Sequence, residues 1–271
     1  MIKRMFVGTK VGQIALSFKG VWELFLAVRR HGEYVGTYCN DILAERLITN
    51  LCPATGGFVD IGAHIGSISA GVIRHSPNAS IYAVEAMPDK AAWLINKFPR
   101  INVFNCAVGN REGTIPFYIN KSQSGYSSMI KPSPDMEDEW DEIRVKIEKL
   151  DDIIKNNVVD IIKIDVEGAE YEVLCGSIKV IRKNRPIVMF ESGPFENEIE
   201  LKKRKDLFNL FNDNNYVVLI PNRVAHHGDG LTMECFVDSH VYPRRTTNYF
   251  AIPAEKRLLC REKARDILNF N

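Results

Sequence analysis

The chain lacks the features that mark a disulfide framework, a zinc module or a membrane span. Its 6 cysteines, Cys39, Cys52, Cys106, Cys175, Cys235 and Cys260, are scattered through 271 residues with no C-x-x-C pair. That spacing suits neither a zinc site nor a small secreted scaffold, so the thiols read as reduced and mostly buried. Lys3 and Arg4 resemble the start of a signal segment, but Lys10, Lys19 and Glu23 interrupt the apolar stretches that follow. No run approaches the roughly 20 apolar residues of a spanning helix. Charge of one sign is also missing: 35 Lys+Arg against 34 Asp+Glu leave a net +1, which argues against a dedicated nucleic-acid binder. With 45% hydrophobic and 25% charged residues and no internal repeat, disordered, collagen-like and coiled-coil classes are excluded. The expectation is a cytoplasmic globular protein that makes no membrane contact and has a sizeable core.

Residues 1–55 carry a helical pattern, with Ile42, Leu43, Leu47, Ile48 and Leu51 on one face, and read as a helical N-terminal extension. After Gly56-Gly57 the texture changes, and residues 56–271 read as the main domain. Apolar runs at Phe58–Ile61, Ile81–Val84, Val103–Phe104, Val159–Ile164 and Ile187–Phe190 alternate with helix-period segments. The spacing predicts a doubly wound α/β fold, its mostly parallel strands buried on both faces under helices. Ile65, Ile68 and Val72 predict one covering helix. Ala169, Val173, Leu174, Ile178 and Ile181 predict another. Gly113–Ile119 and Arg144–Leu150 read as two further strands, joined by an aperiodic segment, 120–140, of the length and composition of a lid. A charged helix over Glu198–Asn212, with Lys202-Lys203-Arg204-Lys205 as a solvated basic face, leads to last strands at Tyr216–Ile220 and Asn248–Ile252.

The sharpest chemical signal is Phe58-Val59-Asp60-Ile61-Gly62-Ala63-His64-Ile65-Gly66, a strand entering a helix through a glycine turn. Glycine there permits close backbone approach by a ligand, and the following helix offers free N–H groups. The segment lacks the G-x-G-x-x-G of a dinucleotide site, and Asp60 suits a cationic group better than a phosphate. Glu85 ends the second strand, where a carboxylate accepts both hydroxyls of a ribose. A nucleoside carrying an ammonium in place of a diphosphate meets both demands, and S-adenosylmethionine has that composition.

With F-V-D-I-G-A-H-I-G (58–66), Y-A-V-E-A-M-P (82–88), N-C-A-V-G-N-R-E-G (105–113), V-K-I-E-K-L-D-D (145–152) and V-D-I-I-K-I-D-V-E-G-A-E (159–170), the chain resembles the FkbM family of S-adenosylmethionine-dependent O-methyltransferases. The resemblance covers about 55–195 well. It implies a class I methyltransferase, Rossmann-like, with a seven-stranded sheet containing one antiparallel strand. It also implies that Asp60, Gly62, His64 (through its backbone) and Gly66 lie beside the methionine part of the cofactor. Glu85 and Ala86 would hold the ribose and adenine edge, and Cys106 and Ala107 the adenine. Asp165 would face the same crevice, between the first and fourth strands, where ligands of open α/β sheets bind.

Methyl transfer to a neutral hydroxyl gains from a general base, and Asp165, Glu167 and Glu191 are the strand-end candidates. Asp165 is also a candidate cofactor contact, ahead of its reading as a helix cap. His226-His227-Gly228-Asp229-Gly230 is a polar loop, but adjacent histidines point in different directions, and no metal site is expected. The acceptor implied by the family is a hydroxyl of a sugar or other small natural product, with nucleic acid disfavoured. The rival readings are an RNA methyltransferase and a non-catalytic methyltransferase-like scaffold.

Overall fold

The structure is a computed structural model that describes residues 7–132 and 139–270. Helices α1 (Lys10–Arg30) and α2 (Val35–Leu51) precede β1 (Gly57–Ile61), α3 (Ser67–His75), β2 (Ser80–Val84), α4 (Pro88–Lys97) and β3 (Asn102–Phe104). A small sheet follows, made of β4 (Ala107–Val108), β5 (Gly113–Asn120) and β6 (Trp140–Glu148). Next come α5 (Leu150–Ile154), β7 (Ile161–Ile164), α6 (Glu170–Cys175), α7 (Ile178–Asn184), β8 (Ile187–Glu191) and α8 (Glu198–Asp213). The chain finishes with β9 (Tyr216–Leu219), α9 (Met233–Asp238), β10 (Asn248–Pro253) and α10 (Arg257–Leu268).

The main sheet has seven strands in the order β3-β2-β1-β7-β8-β10-β9. Its first five strands pair in parallel, and β10 runs antiparallel to both β8 and β9. The doubly wound, mostly parallel arrangement therefore matches the expectation, including the single antiparallel strand. The chain moves one way from β1 to β2 and the other way to β7, so the topological switch point lies between the carboxyl ends of β1 and β7.

Strand parity then decides where the polar residues gather. Successive side chains alternate between faces, and Phe58, Ile81, Ile161 and Met189 fill one apolar cluster while Val59, Val84, Ile162 and Phe190 fill the other. Asp60, Glu85, Lys163, Asp165 and Glu191 share the parity of the first set. At the carboxyl ends of four adjacent strands the same face thus changes from apolar to charged.

Four features depart from the sequence reading. Helix α2 contributes Ala44, Leu47, Ile48 and Leu51 to the cluster around Phe58, whereas Ile42 is 40% exposed on the helix's far side. The single helix read across Ala169–Ile181 is two, α6 and α7. It breaks at Gly176-Ser177, where the Gly176 backbone presses on the Gly109 carbonyl and a Cβ would stand 1.9 Å from its oxygen. In the basic quartet Arg204 faces inward: it is 7% exposed and lies 3.5 Å from the buried Glu170. Its neighbours Lys202 and Lys203 pair at the surface with Asp206 and Glu172.

The last departure concerns the segment 120–140, of which residues 133–138 lie outside the described residues. Strands β5 and β6 are longer than expected and pair antiparallel from Gly113↔Ile147 to Asn120↔Trp140. Beyond β5, a turn at Ser124–Tyr126 folds the chain back, and Tyr118 and Ser128 exchange two backbone hydrogen bonds of 2.8 and 3.0 Å.

Candidate active site

A cavity of about 450 Å³ opens at the switch point, within the size range of small-ligand pockets. Asp60, Gly62, His64, Glu85 and Ala86 line it from the ends of β1 and β2. Cys106 and Ala107 line it from the β3–β4 segment, and Asp165, Glu167 and Glu191 from the ends of β7 and β8. These ten residues, separated by more than a hundred positions in sequence, share one wall because four parallel strands end side by side.

Gly62 has φ +73°, and a Cβ there would stand 1.8 Å from the Asp165 carbonyl oxygen. Only glycine lets the turn after β1 lie against the turn after β7. Gly66 differs from the expectation. It is absent from the cavity wall, sits at the N-cap of α3, and packs where a Cβ would meet Leu94 and Phe98 at 2.8 Å. Its missing Cβ, between the cavity-lining Ile65 and Ser67, lets α3 pack against Leu94 and Phe98 of the α4 region.

Asp60 also differs in part. It is 1% exposed; the Ser69 hydroxyl donates to its Oδ2 at 2.6 Å, and the Lys163 ammonium lies 3.4 Å from its Oδ1. Its charge already has a partner inside the protein, although the residue still lines the cavity. Lys163 was not among the sequence candidates. A signal for it exists in I-K-I-D: a lysine within an otherwise apolar buried run, two residues before an acid and so on the same face.

Glu85 is 5% exposed, and its two oxygens accept the backbone N–H groups of His64 at 2.7 Å and Met87 at 2.9 Å. Burial raises its pKa, opposed by those N–H groups and by Lys90 and Lys163. The carboxylate fixes the glycine turn, and each oxygen keeps a lone pair for a further donor. Burial likewise pushes the Cys106 thiol up to about 12, which makes it a neutral wall group.

The three catalytic candidates cluster, with carboxyl oxygens of Asp165, Glu167 and Glu191 within 4.8 Å of one another. Their environments drive them apart. Burial alone would raise Asp165, but Lys163 at 3.1 Å and a hydrogen bond from Glu191 hold it below its ordinary value. Burial and then the Asp165 charge push Glu191 well above its own, which favours Glu191 as the donor in its hydrogen bond with Asp165. Glu167 is raised to about 8 by burial, then by Asp165 and Glu170. It adopts φ +52°, uncommon for a residue with a side chain. The trio has the oxygen donors a divalent cation takes, but the Lys163 ammonium already faces Asp165. Elsewhere, His227 contacts Arg261 and His226 packs edge-on to Phe270, so the histidine loop forms no shared site with a carboxylate among the described residues.

Two further sets of residues escaped the sequence reading. Phe117, Tyr126, Ser127 and Met129 bring the small sheet over the cavity. Arg204 donates to the Gly193 carbonyl at 3.1 Å as well as meeting Glu170, whose Oε1 accepts the Gly168 N–H at 2.8 Å. The segments carrying Glu191 and Glu167 are thereby joined from behind.

Among known proteins, residues 60–218 match the Methyltransferase FkbM domain. The 2-O-methyltransferase NoeI of Sinorhizobium fredii is 26% identical over 172 residues, which span 56% of this chain and 71% of that protein. The methyltransferase sdnD of Sordaria araneosa is 26% identical over 163 residues, 48% of this chain and 62% of that one. A crystal structure of methyltransferase FkbM from Methylobacillus flagellatus KT aligns at 20% identity and a TM-score of 0.45, covering 73% of this chain and 44% of that chain. The chain therefore spans less than two thirds of sdnD and less than half of the crystallised protein. The family match covers more than half of the chain. The chain belongs to the FkbM family of S-adenosylmethionine-dependent methyltransferases.

Proposed function

We propose that the chain is an O-methyltransferase that moves the methyl group of S-adenosylmethionine to a hydroxyl of a sugar or another small molecule. The observation that carries this reading is the carboxyl trio, Asp165, Glu167 and Glu191, on the same cavity wall as the Gly62 turn and Glu85. The 2-O-methyltransferase name of NoeI supports oxygen as the accepting atom.

The residues present fit the cofactor. Glu85 offers a carboxylate to ribose hydroxyls, and Ala86, Cys106 and Ala107 offer a small, uncharged edge to adenine. Asp165, ionised and with 37% of its side chain exposed, balances a cation. When bound, S-adenosylmethionine supplies an electrophilic methyl group on a sulfonium.

The rest of the reaction falls to the chain's own groups. Holding the acceptor oxygen in line with the methyl carbon gives an effective molarity of about 10⁵ to 10⁸ M. Glu167 takes the hydroxyl proton on a carboxylate oxygen: its carboxyl is raised to about 8, whereas Lys163 holds Asp165 below its ordinary value and burial pushes Glu191 well above its own. Tyr126 and Met129 of the hairpin connection exclude water from above. With all six thiols unpaired, we assign the reaction to the reducing cytoplasm. Among the described residues no helix is long and apolar enough to cross a membrane.

Incubation with labelled S-adenosylmethionine and a panel of glycosides and polyols tests the reading. S-adenosylhomocysteine release that depends on an acceptor, with the label in an alkali-stable methyl ether, is the expected result. Transfer to nitrogen or carbon, or no turnover of the cofactor with any hydroxyl acceptor, would overturn it.

A further inference from the structure

Lys163 stands in a strand whose every residue is buried, and 7% of its side chain is exposed. A methionine would fill that space without the cost of desolvating a charge. The ammonium instead has four oxygen partners: the Gly62 carbonyl at 2.9 Å, the Ile61 carbonyl at 3.5 Å, Asp60 Oδ1 at 3.4 Å and Asp165 Oδ2 at 3.1 Å. Asp60 lies directly opposite Lys163 in the parallel register, and Ser69 occupies its other oxygen. One lysine between two carboxylates leaves one surplus negative charge. The Asp60 side chain is 1% exposed and that of Asp165 37%, so the surplus emerges at Asp165, the more exposed partner.

We propose that Lys163 is the positioning residue of the cofactor site: by holding the Gly62 carbonyl, Asp60 and Asp165 at once, it locks the glycine turn to the acid loop and presents the Asp165 carboxylate to the cofactor's cationic end. This rests on the reading that S-adenosylmethionine occupies the cavity. The groups facing Asp165 are Lys163 on its own strand, Asp60 and His64 from the β1 side, Glu167 and Glu170 from the segment after β7, and Glu191 from β8. Four are acids, and Lys163 is the cation hydrogen-bonded to Asp165. Without it Asp165 takes up a proton at higher pH and loses its hold on a cation.

The test is calorimetric titration with S-adenosylhomocysteine, whose ammonium is retained, from about pH 8 down to about pH 6. Lys163→Met combined with Asp60→Asn removes the ammonium without stranding a buried carboxylate. The ratio of this variant's Kd to the parent's should grow by about tenfold across that range, the size of one added proton competing with the ligand over part of the interval. Adding Asp165→Asn should make the ratio constant. In the otherwise intact chain, Asp165→Asn alone should weaken binding by the same factor at every pH, because its target is ionised throughout; this arm decides the matter if the double variant does not fold. A pH-independent ratio for the folded double variant, or a single-variant effect that fades toward pH 6, would overturn the role of Lys163. A parent that binds no S-adenosylhomocysteine would overturn the cofactor reading itself.

Discussion

The Ser128 hydroxyl donates to the backbone carbonyl of Glu167 at 2.7 Å, so the connection between β5 and β6 is tied to the acid loop it covers. The same oxygen accepts the Ile130 N–H at 3.0 Å. Ser128→Ala should weaken this tie by about 0.5–1.5 kcal/mol and leave global unfolding nearly unchanged. Hydrogen exchange checks it: amides of 121–130 should exchange faster in the variant, and in the parent should slow when S-adenosylhomocysteine binds, as expected of a lid. Exchange rates insensitive to both changes would contradict the coupling.

As the proposed base, Glu167 must lose its proton before it can accept another. Its carboxyl is raised to about 8, chiefly by burial, so kcat/KM should climb as pH rises through about 8 and then level off. Glu167→Gln should abolish that limb and slow turnover by about 10² to 10⁴, with cofactor affinity little changed. A profile identical to the parent's would move the base to Asp165 or Glu191.

Arg204 and Glu170 form a buried ion pair behind the site, 8% and 2% exposed. Arg204→Ala should cost about 3–5 kcal/mol, because it strands a buried carboxylate. Arg204→Met with Glu170→Gln should recover much of that. Urea unfolding midpoints for the two variants check the order. Equal losses would mean that packing, not the unpaired charge, sets the cost.

His240 is 3% exposed; the Phe236 carbonyl lies 2.7 Å from Nδ1 and the Ser192 hydroxyl 2.8 Å from Nε2. Burial lowers its pKa from 6.5 to about 4. The folded value is depressed below the unfolded one, so its contribution is fully present above about 6.5 and is lost as pH falls toward about 4. Roughly 3 kcal/mol is at stake, from about 1.4 kcal/mol per unit. Unfolding free energies of parent and His240→Gln at several pH values should converge over that window. Parallel curves would remove His240 from the acid sensitivity.

The sheet was legible because β1, β2, β7 and β8 announce themselves as apolar runs, each followed by a helix signal. The site was legible where chemistry coincides with a strand end, as at Asp60, Glu85, Asp165 and Glu191. What escaped depends on contacts remote in sequence. Lys163 reads as an interruption until Asp60 appears opposite it. Arg204 looks like one of four surface cations, because helix phase relative to the core is not encoded in a run of like charges. Gly66 follows the pattern of a ligand-binding glycine, and its close approach to Leu94 and Phe98 is not visible in that pattern. Tyr126 and Met129 reach the cavity only through the fold-back at Ser128.

The most direct test of the central claim, that the crevice between β1 and β7 binds S-adenosylmethionine, is calorimetric titration of S-adenosylhomocysteine into the parent and Glu85→Gln. The parent should bind at about micromolar Kd, near −8 kcal/mol, and NAD should give no heat. The variant should bind more weakly by about 1.5–3 kcal/mol, the value of hydrogen bonds to a charged acceptor, while remaining folded. Absence of binding by the parent, or equal affinity in a folded Glu85→Gln protein, would contradict the placement of the cofactor at this wall.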